Sequence, residues 1–429
     1  MMVEVTSVYK YMSIVLFALI LLVLGAPHST FANEVITHTF YYFDYAYILT
    51  SRNTSTAYYD FPINYSDGSV NQTVNLVEIG GDAEVLKENE IGITARNNTY
   101  GYFVLRVRQN YINSSRILND LFSNPTKYNF TVDEIPEEIR EEYLKPYLTL
   151  VTDVAIPEFE EWVRQQQVNL SQVSKPYIGI LAAFFIYGEH FITYKASPIP
   201  RTISEVIENR EGDCDDMSRV LLNILWFYGI PAKIQYGYVY LPYNETVNLD
   251  GSLMNLVNAG PHGYVKMYIP QIGWISLDFL AGSEISRPVL ITGESVKTNV
   301  TEEDVENITE SMKELLYAEI IMAYEEGELP EYLEHSLNEG TINSTLYKLV
   351  SPLIEEILGE ETPTTTTTQP SETTTTTSIV TTTTTTEETT ITTEPPPRPE
   401  LESGFLILIL MSLALGTVAV ALLLKRLRS

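Results

Sequence analysis

The chain has 429 residues, 45% of them hydrophobic and 11% aromatic, and a formal charge of −30. So much apolar material excludes a disordered protein and is enough for a globular ectodomain of one or two domains with non-globular additions. The negative balance argues against nucleic acid and anionic membrane surfaces as partners, since both repel it.

Residues 1–32 hold Lys10, an apolar run from Ile14 to Leu24 and Thr30-Phe31-Ala32, a small-x-small cleavage pattern, and read as a secretory signal peptide. Eleven Asn-x-Ser/Thr sequons, from Asn53 to Asn343, follow that signal, as on a glycosylated exported surface. From Val35 to Ile112 the chain is rich in Tyr, Phe, Val, Ile and Thr, with turns at Ser66-Asp67-Gly68 and Gly80-Gly81-Asp82. Residues 33–132 are therefore read as a β-rich N-terminal domain, a β-sandwich. Helical patterns begin at Pro136-Glu137-Glu138, a proline-and-acid start, and continue through Ile156 to Gln167 and Tyr177 to Phe191.

Cys214 is the only cysteine, so no intramolecular disulfide forms and the thiol was not kept for a bridge. Gly212 offers a tight turn with positive φ, Asp213 is a good N-cap, and Cys214 falls at the first helical position. After it Met217, Val220, Leu221, Ile224, Leu225 and Tyr228 recur at spacings of three and four, an amphipathic helix ended by Gly229 and Pro231. A thiol there feels the positive end of the helix dipole and unpaired N–H groups, which favour thiolate and can hold an oxyanion. Asp213, Asp215 and Asp216 oppose this by placing negative charge around the sulfur, so a cationic partner is required.

Short strands follow the cysteine helix at Ala232 to Leu241, Gly263 to Ile269 and Gly273 to Phe279, and helix followed by antiparallel sheet is an α+β order. Of the five histidines, His28 is in the signal, His38 begins the β-domain, His335 is in the late helices and His190 precedes the cysteine without a strand context. His262 opens one strand and Asp278 ends the next across a Pro270 to Gly273 turn, so antiparallel pairing can bring them together. A thiolate, an imidazole to hold it and move protons, and a carboxylate to orient the imidazole are what acyl transfer through a thioester requires.

Beyond Val300, Glu303 to Tyr324 and Leu346 to Leu358 read as acidic helices, making residues 291–360 a helical C-terminal extension. Residues 361–400 are nearly all Thr, Glu and Pro, which fits a disordered, mucin-like stalk. Residues 404–424 are an apolar run of membrane-spanning length, and Lys425, Arg426 and Arg428 place the tail 425–429 in the cytoplasm. The expected topology is a single-pass cell-membrane protein with its N-terminal ectodomain outside.

From about Pro146 to Gly282 the chain resembles the transglutaminase-like superfamily, whose papain-like core uses Cys, His and Asp in that chain order. The motifs are Arg210-Glu-Gly-Asp-Cys214-Asp-Asp, then Tyr228-Gly-Ile-Pro-Ala-Lys-Ile with Gly237-Tyr238, then His262, then Gly273-Trp-Ile-Ser-Leu-Asp278. Gly263-Tyr264 stands where that family usually has a Trp shortly after its His, and Phe279 where it commonly has Pro. The resemblance implies a transglutaminase-like catalytic domain over residues 133–290, preceded by the β-sandwich. In it Cys214 is the nucleophile, His262 the general base and acid, and Asp278 the orienting carboxylate. The expected activity is attack on amide bonds of protein or peptide substrates at the cell surface, with hydrolysis slightly ahead of transfer to an amine. A catalytically silent binding or adhesion protein on the same scaffold is the alternative. No cofactor is needed for thioester chemistry, no paired ligand spacing points to a metal, and nothing sets an oligomeric state.

Overall fold

The computed structural model describes residues 35–359, apart from 52–54, 60, 88–89, 96–97, 113–114, 198 and 280–288. The expected signal (1–32), stalk (361–400), transmembrane segment (404–424) and tail (425–429) lie outside the described residues. Among the described residues no helix is long and apolar enough to cross a membrane.

The centre is a nine-stranded sheet in the spatial order Val289–Ser295, Ala232–Leu249, Ser252–Ile269, Leu315–Glu325, Val35–Ser51, Thr99–Ile112, Val70–Gly81 and Tyr65–Ser66, with Gly273–Ser276 paired beside Ser252–Ile269. Neighbours are antiparallel except Ser252–Ile269 and Leu315–Glu325, which run parallel over Leu253 to Val257. A separate three-stranded sheet is made by Ser55–Tyr59, Glu90–Ala95 and Ala83–Lys87.

Two expectations are corrected by this topology. Residues 33–132 do not close on themselves as a separate β-sandwich, because their long strands extend the sheet of the core. The reason is that Val35–Ser51 is apolar on both faces: Phe40 and Tyr42 pack with Phe61, Phe103 and Leu290 on one side, while Phe43, Tyr45 and Leu49 meet Leu333, Leu346 and Val350 on the other. A strand buried on both faces belongs in the middle of a sheet rather than on a sandwich wall.

The stretch Glu303 to Tyr324 is likewise not one helix. Thr301 caps a helix over Glu302–Glu314, and the chain then becomes the strand Leu315–Glu325. There Ala318, Ile320 and Met322 bury on one side and Ile321 and Ala323 on the other. Helices Glu331–Glu339 and Ile342–Leu358 cover the first of those sides through Leu333, Ile342, Leu346 and Val350.

The helix Cys214–Phe227 lies across the long hairpin Ala232–Leu249 and Ser252–Ile269, with helices Thr149–Gln165 and Lys175–Tyr187 packed outside it. Met217, Leu221, Ile224 and Leu225 share one core with Ile234, Val265, Met267, Phe159 and Ile180. On the hairpin, Lys233 and Lys266 are cross-strand partners and are both buried. Asp67, from the N-terminal strands, bonds Lys266 and lies 3.6 Å from Lys233, whose other carboxylate is Glu294 at 2.6 Å. Burial, opposed by Asp67, lowers the Lys266 ammonium to about 8. The N-terminal strands thus supply the counter-charge for the interior of the core.

Candidate active site

The backbone entering the cysteine helix is held by a short parallel pair, Thr193–Tyr194 against Glu211–Gly212, and by the Lys195 N–H donating to Gly212 O at 2.9 Å. Arg210, not Gly212, takes the left-handed turn, at φ 57°. Gly212 is required for space instead, since a Cβ there would stand 2.8 Å from Asp216 Cβ. Asp213 is the N-cap in a capping box with Asp216, and Cys214 is the first helical residue, partly exposed. First-turn N–H groups of a helix have no intrahelical acceptor, so they surround the sulfur with donors.

His262 stands opposite Gly237 in the hairpin, near the N-terminus of the cysteine helix. Its Nε2–H donates to Asp278 Oδ2 at 2.9 Å, and the two residues are only 8% and 6% exposed. Asp278 is placed by the strand Gly273–Ser276 and by the Leu277 N–H, which donates to Val265 O at 2.8 Å. The Cys214 thiol adds to the interactions that favour the charged imidazole. With Nε2 committed to the carboxylate, Nδ1 is the nitrogen left for sulfur. Burial disfavours a charged ring, but the Asp278 charge and hydrogen bond, helped by Cys214, outweigh it and raise His262 to about 10. Tyr264 stacks on the imidazole, ring centroids 5.8 Å apart, on the side of the sequence where the family's Trp is missing.

The chain therefore brings together Cys214, His262 and Asp278. The remaining described histidines are engaged elsewhere: His38 bonds Glu325, His190 packs on Trp162, and His335 pairs with Glu339.

Two guanidinium groups, Arg219 and Arg201, neutralise the aspartates beside the cysteine. Arg219 reaches Asp215 and, at 2.7 Å, Asp216; Arg201 lies 2.8 Å from Asp216 and 3.7 Å from Asp213. Asp213, Asp215 and Asp216 present their oxygens within 4.8 Å of one another, and the two guanidinium groups sit on that cluster. Burial and Asp213 push the Asp216 carboxyl up to about 7, against the pull of Arg201. Arg219 was legible as an i+3 and i+4 partner on the helix. Arg201 arrives from outside the helix, before Ile203–Asn209, and only the fold brings it in.

Comparison with known proteins agrees with the motifs. Residues 168–279 match the family model described as the transglutaminase-like superfamily. The uncharacterized protein YebA of Bacillus subtilis is 28% identical over 145 residues, which is 32% of this chain and only 19% of that protein's length. Among solved structures, a candidate cysteine protease from Cytophaga hutchinsonii aligns with a TM-score of 0.42 at 13% identity, covering 68% of this chain and 93% of that one. The periplasmic domain of TgpA from Pseudomonas aeruginosa aligns with a TM-score of 0.26 at 11% identity, covering 58% and 94% of the two chains. The match to the transglutaminase-like superfamily model thus spans residues 168–279 and takes in Cys214, His262 and Asp278 in that order.

Proposed function

We propose that this protein is a cell-surface cysteine enzyme that cleaves amide bonds of proteins or peptides through a thioester acyl-enzyme, with water ahead of amines as acceptor. The observation that carries the reading is the buried His262–Asp278 pair, 2.9 Å apart, beside a thiol at a helix N-terminus. Cys214 as thiolate attacks the carbonyl carbon, and the oxyanion takes a hydrogen bond from the Cys214 N–H. Imidazolium then donates its proton to the amine, the C–N bond breaks, and the acyl group stays on sulfur. Water, losing a proton to the His262 ring, adds to the thioester, and collapse of the adduct releases the carboxylic acid and restores the thiolate–imidazolium pair. An amine in place of water gives a new amide by the same steps. Asp278 keeps the ring oriented and its charge compensated.

The exported location rests on the segments flanking the ectodomain, a signal at 1–32 and a stalk and apolar span after 361. A thiol-reactive probe applied to intact cells tests both claims: Cys214 is expected to label selectively from outside, and labelling is expected to fall on His262→Ala. Envelope proteomes of wild-type and Cys214→Ala cells then separate the outcomes, new protein termini for hydrolysis and isopeptides for transfer. An inert, slowly labelled thiol overturns the enzyme and leaves a binding scaffold.

A further inference from the structure

Ser218 lies between Met217 and Arg219 on the cysteine helix, and it is 0% exposed. Its Oγ donates towards two carbonyls at once, Cys214 O at 2.6 Å and Gly263 O at 3.1 Å. The first is a bond one turn back along the same helix, which by itself loosens helices slightly. The second crosses to the strand and reaches the residue that follows His262. Tyr187, from the neighbouring helix Lys175–Tyr187, places its buried hydroxyl 2.8 Å from Ser218 Oγ. Three elements therefore meet at one hydroxyl, and its contacts are the carbonyl of the residue read as nucleophile and the carbonyl next to the residue read as base.

The geometry points to Ser218, with Tyr187 behind it, as a positioning residue that sets the separation of the Cys214 sulfur from the His262 ring. Helix and strand also share apolar packing here, through Met217 and Leu221 against Val265 and Met267, which is less directional than a hydrogen bond. A buried hydroxyl held among two carbonyls and a second hydroxyl has no water to exchange with, so it ties helix and strand together at that point. This assignment rests on the catalytic reading above, and its test is chosen to separate the two.

Ser218→Ala and Tyr187→Phe each remove one hydroxyl and no other hydrogen-bonding group. Both are expected to melt cooperatively and keep the wild-type circular dichroism. Acylation of Cys214 by p-nitrophenyl acetate is expected to slow roughly tenfold through kcat with little change in KM, the scale of one lost buried hydrogen bond. A readout independent of turnover is the NMR titration of His262 before and after blocking Cys214 with methyl methanethiosulfonate. In the wild type blocking shifts that titration, and in both variants the shift is expected to shrink. Wild-type acylation with wild-type sulfur–imidazole coupling in both variants overturns the positioning role. If the wild type itself acylates no faster than His262→Ala, the catalytic reading fails. The coupling measurement still decides the role of Ser218.

Discussion

At the scale of single residues, charge compensation decides the chemistry. Because the folded His262 pKa is raised from 6.5 to about 10, the ring's ion pairing contributes stability that is fully present below pH 6.5 and is lost as pH rises through about 10. The alkaline limb of kcat/KM is accordingly expected near pH 10. Asp278→Asn is expected to move that limb to lower pH and to reduce kcat by about 10²–10⁴-fold, which a pH series of initial rates measures. A limb unmoved by the substitution contradicts Asp278 as the group that holds the imidazolium. Arg201→Gln leaves the buried Asp216 with one guanidinium instead of two, so the cost is expected to fall below the ~3–5 kcal/mol of a wholly unpaired buried charge. Denaturant melts are expected to show Asp216→Asn recovering part of that loss in the double variant. Cys214, His262 and Asp278 stood out in the sequence because each is a scarce or motif-bound type: the single cysteine, a His at a strand start, an Asp at a strand end. Ser218 and Tyr187 did not, since one helical serine and one tyrosine among 29 carry no pattern until the fold places them.

At the scale of elements, the cysteine helix was readable from its spacing, its cap and its stop, and the structure gives it the bounds Cys214–Phe227. Leu221 lies in the centre of its buried face, and Leu221→Ala is expected to cost about 2–5 kcal/mol in a urea melt. The strand Leu315–Glu325 was misread as helix because its run of Leu, Ala, Ile and Met satisfies helical spacing as well as alternation, and only two-sided burial decides between them. Its pairing with Val35–Ser51 also buries two carboxyl groups together, Asp44 and Glu319. Burial raises Glu319 from 4.5 to about 7 and holds Asp44 well above the usual carboxylate range, with the charge of Glu319 adding to it. A carboxyl raised on folding is kept protonated in the native chain, so stability is greatest below pH 4.5, declines towards pH 7 and is level beyond. Glu319→Gln is expected to raise the melting temperature at pH 8 relative to wild type and to remove most of the decline between pH 5 and 7. Parallel pH profiles for the two proteins contradict the buried acid pair.

At the scale of the whole molecule, the domain plan written from composition differs from the one the sheet builds. Strand content in the N-terminal third was legible from its residue types, but strand partners at a separation of more than 200 residues leave no local trace, as with Phe40 opposite Glu325. A chain starting at residue 133 loses the strands beside Leu315–Glu325 and the Asp67 carboxylate that meets Lys266 and Lys233. It is expected to lack a cooperative thermal transition, whereas a fragment that melts sharply on its own restores the two-domain plan. The parallel seam between Ser252–Ile269 and Leu315–Glu325 has one more consequence, for the order of events during synthesis. The 253–257 end of the strand that bears His262 is paired with a segment translated later, so that part of the sheet closes late, after the hairpin around His262 is already available to form.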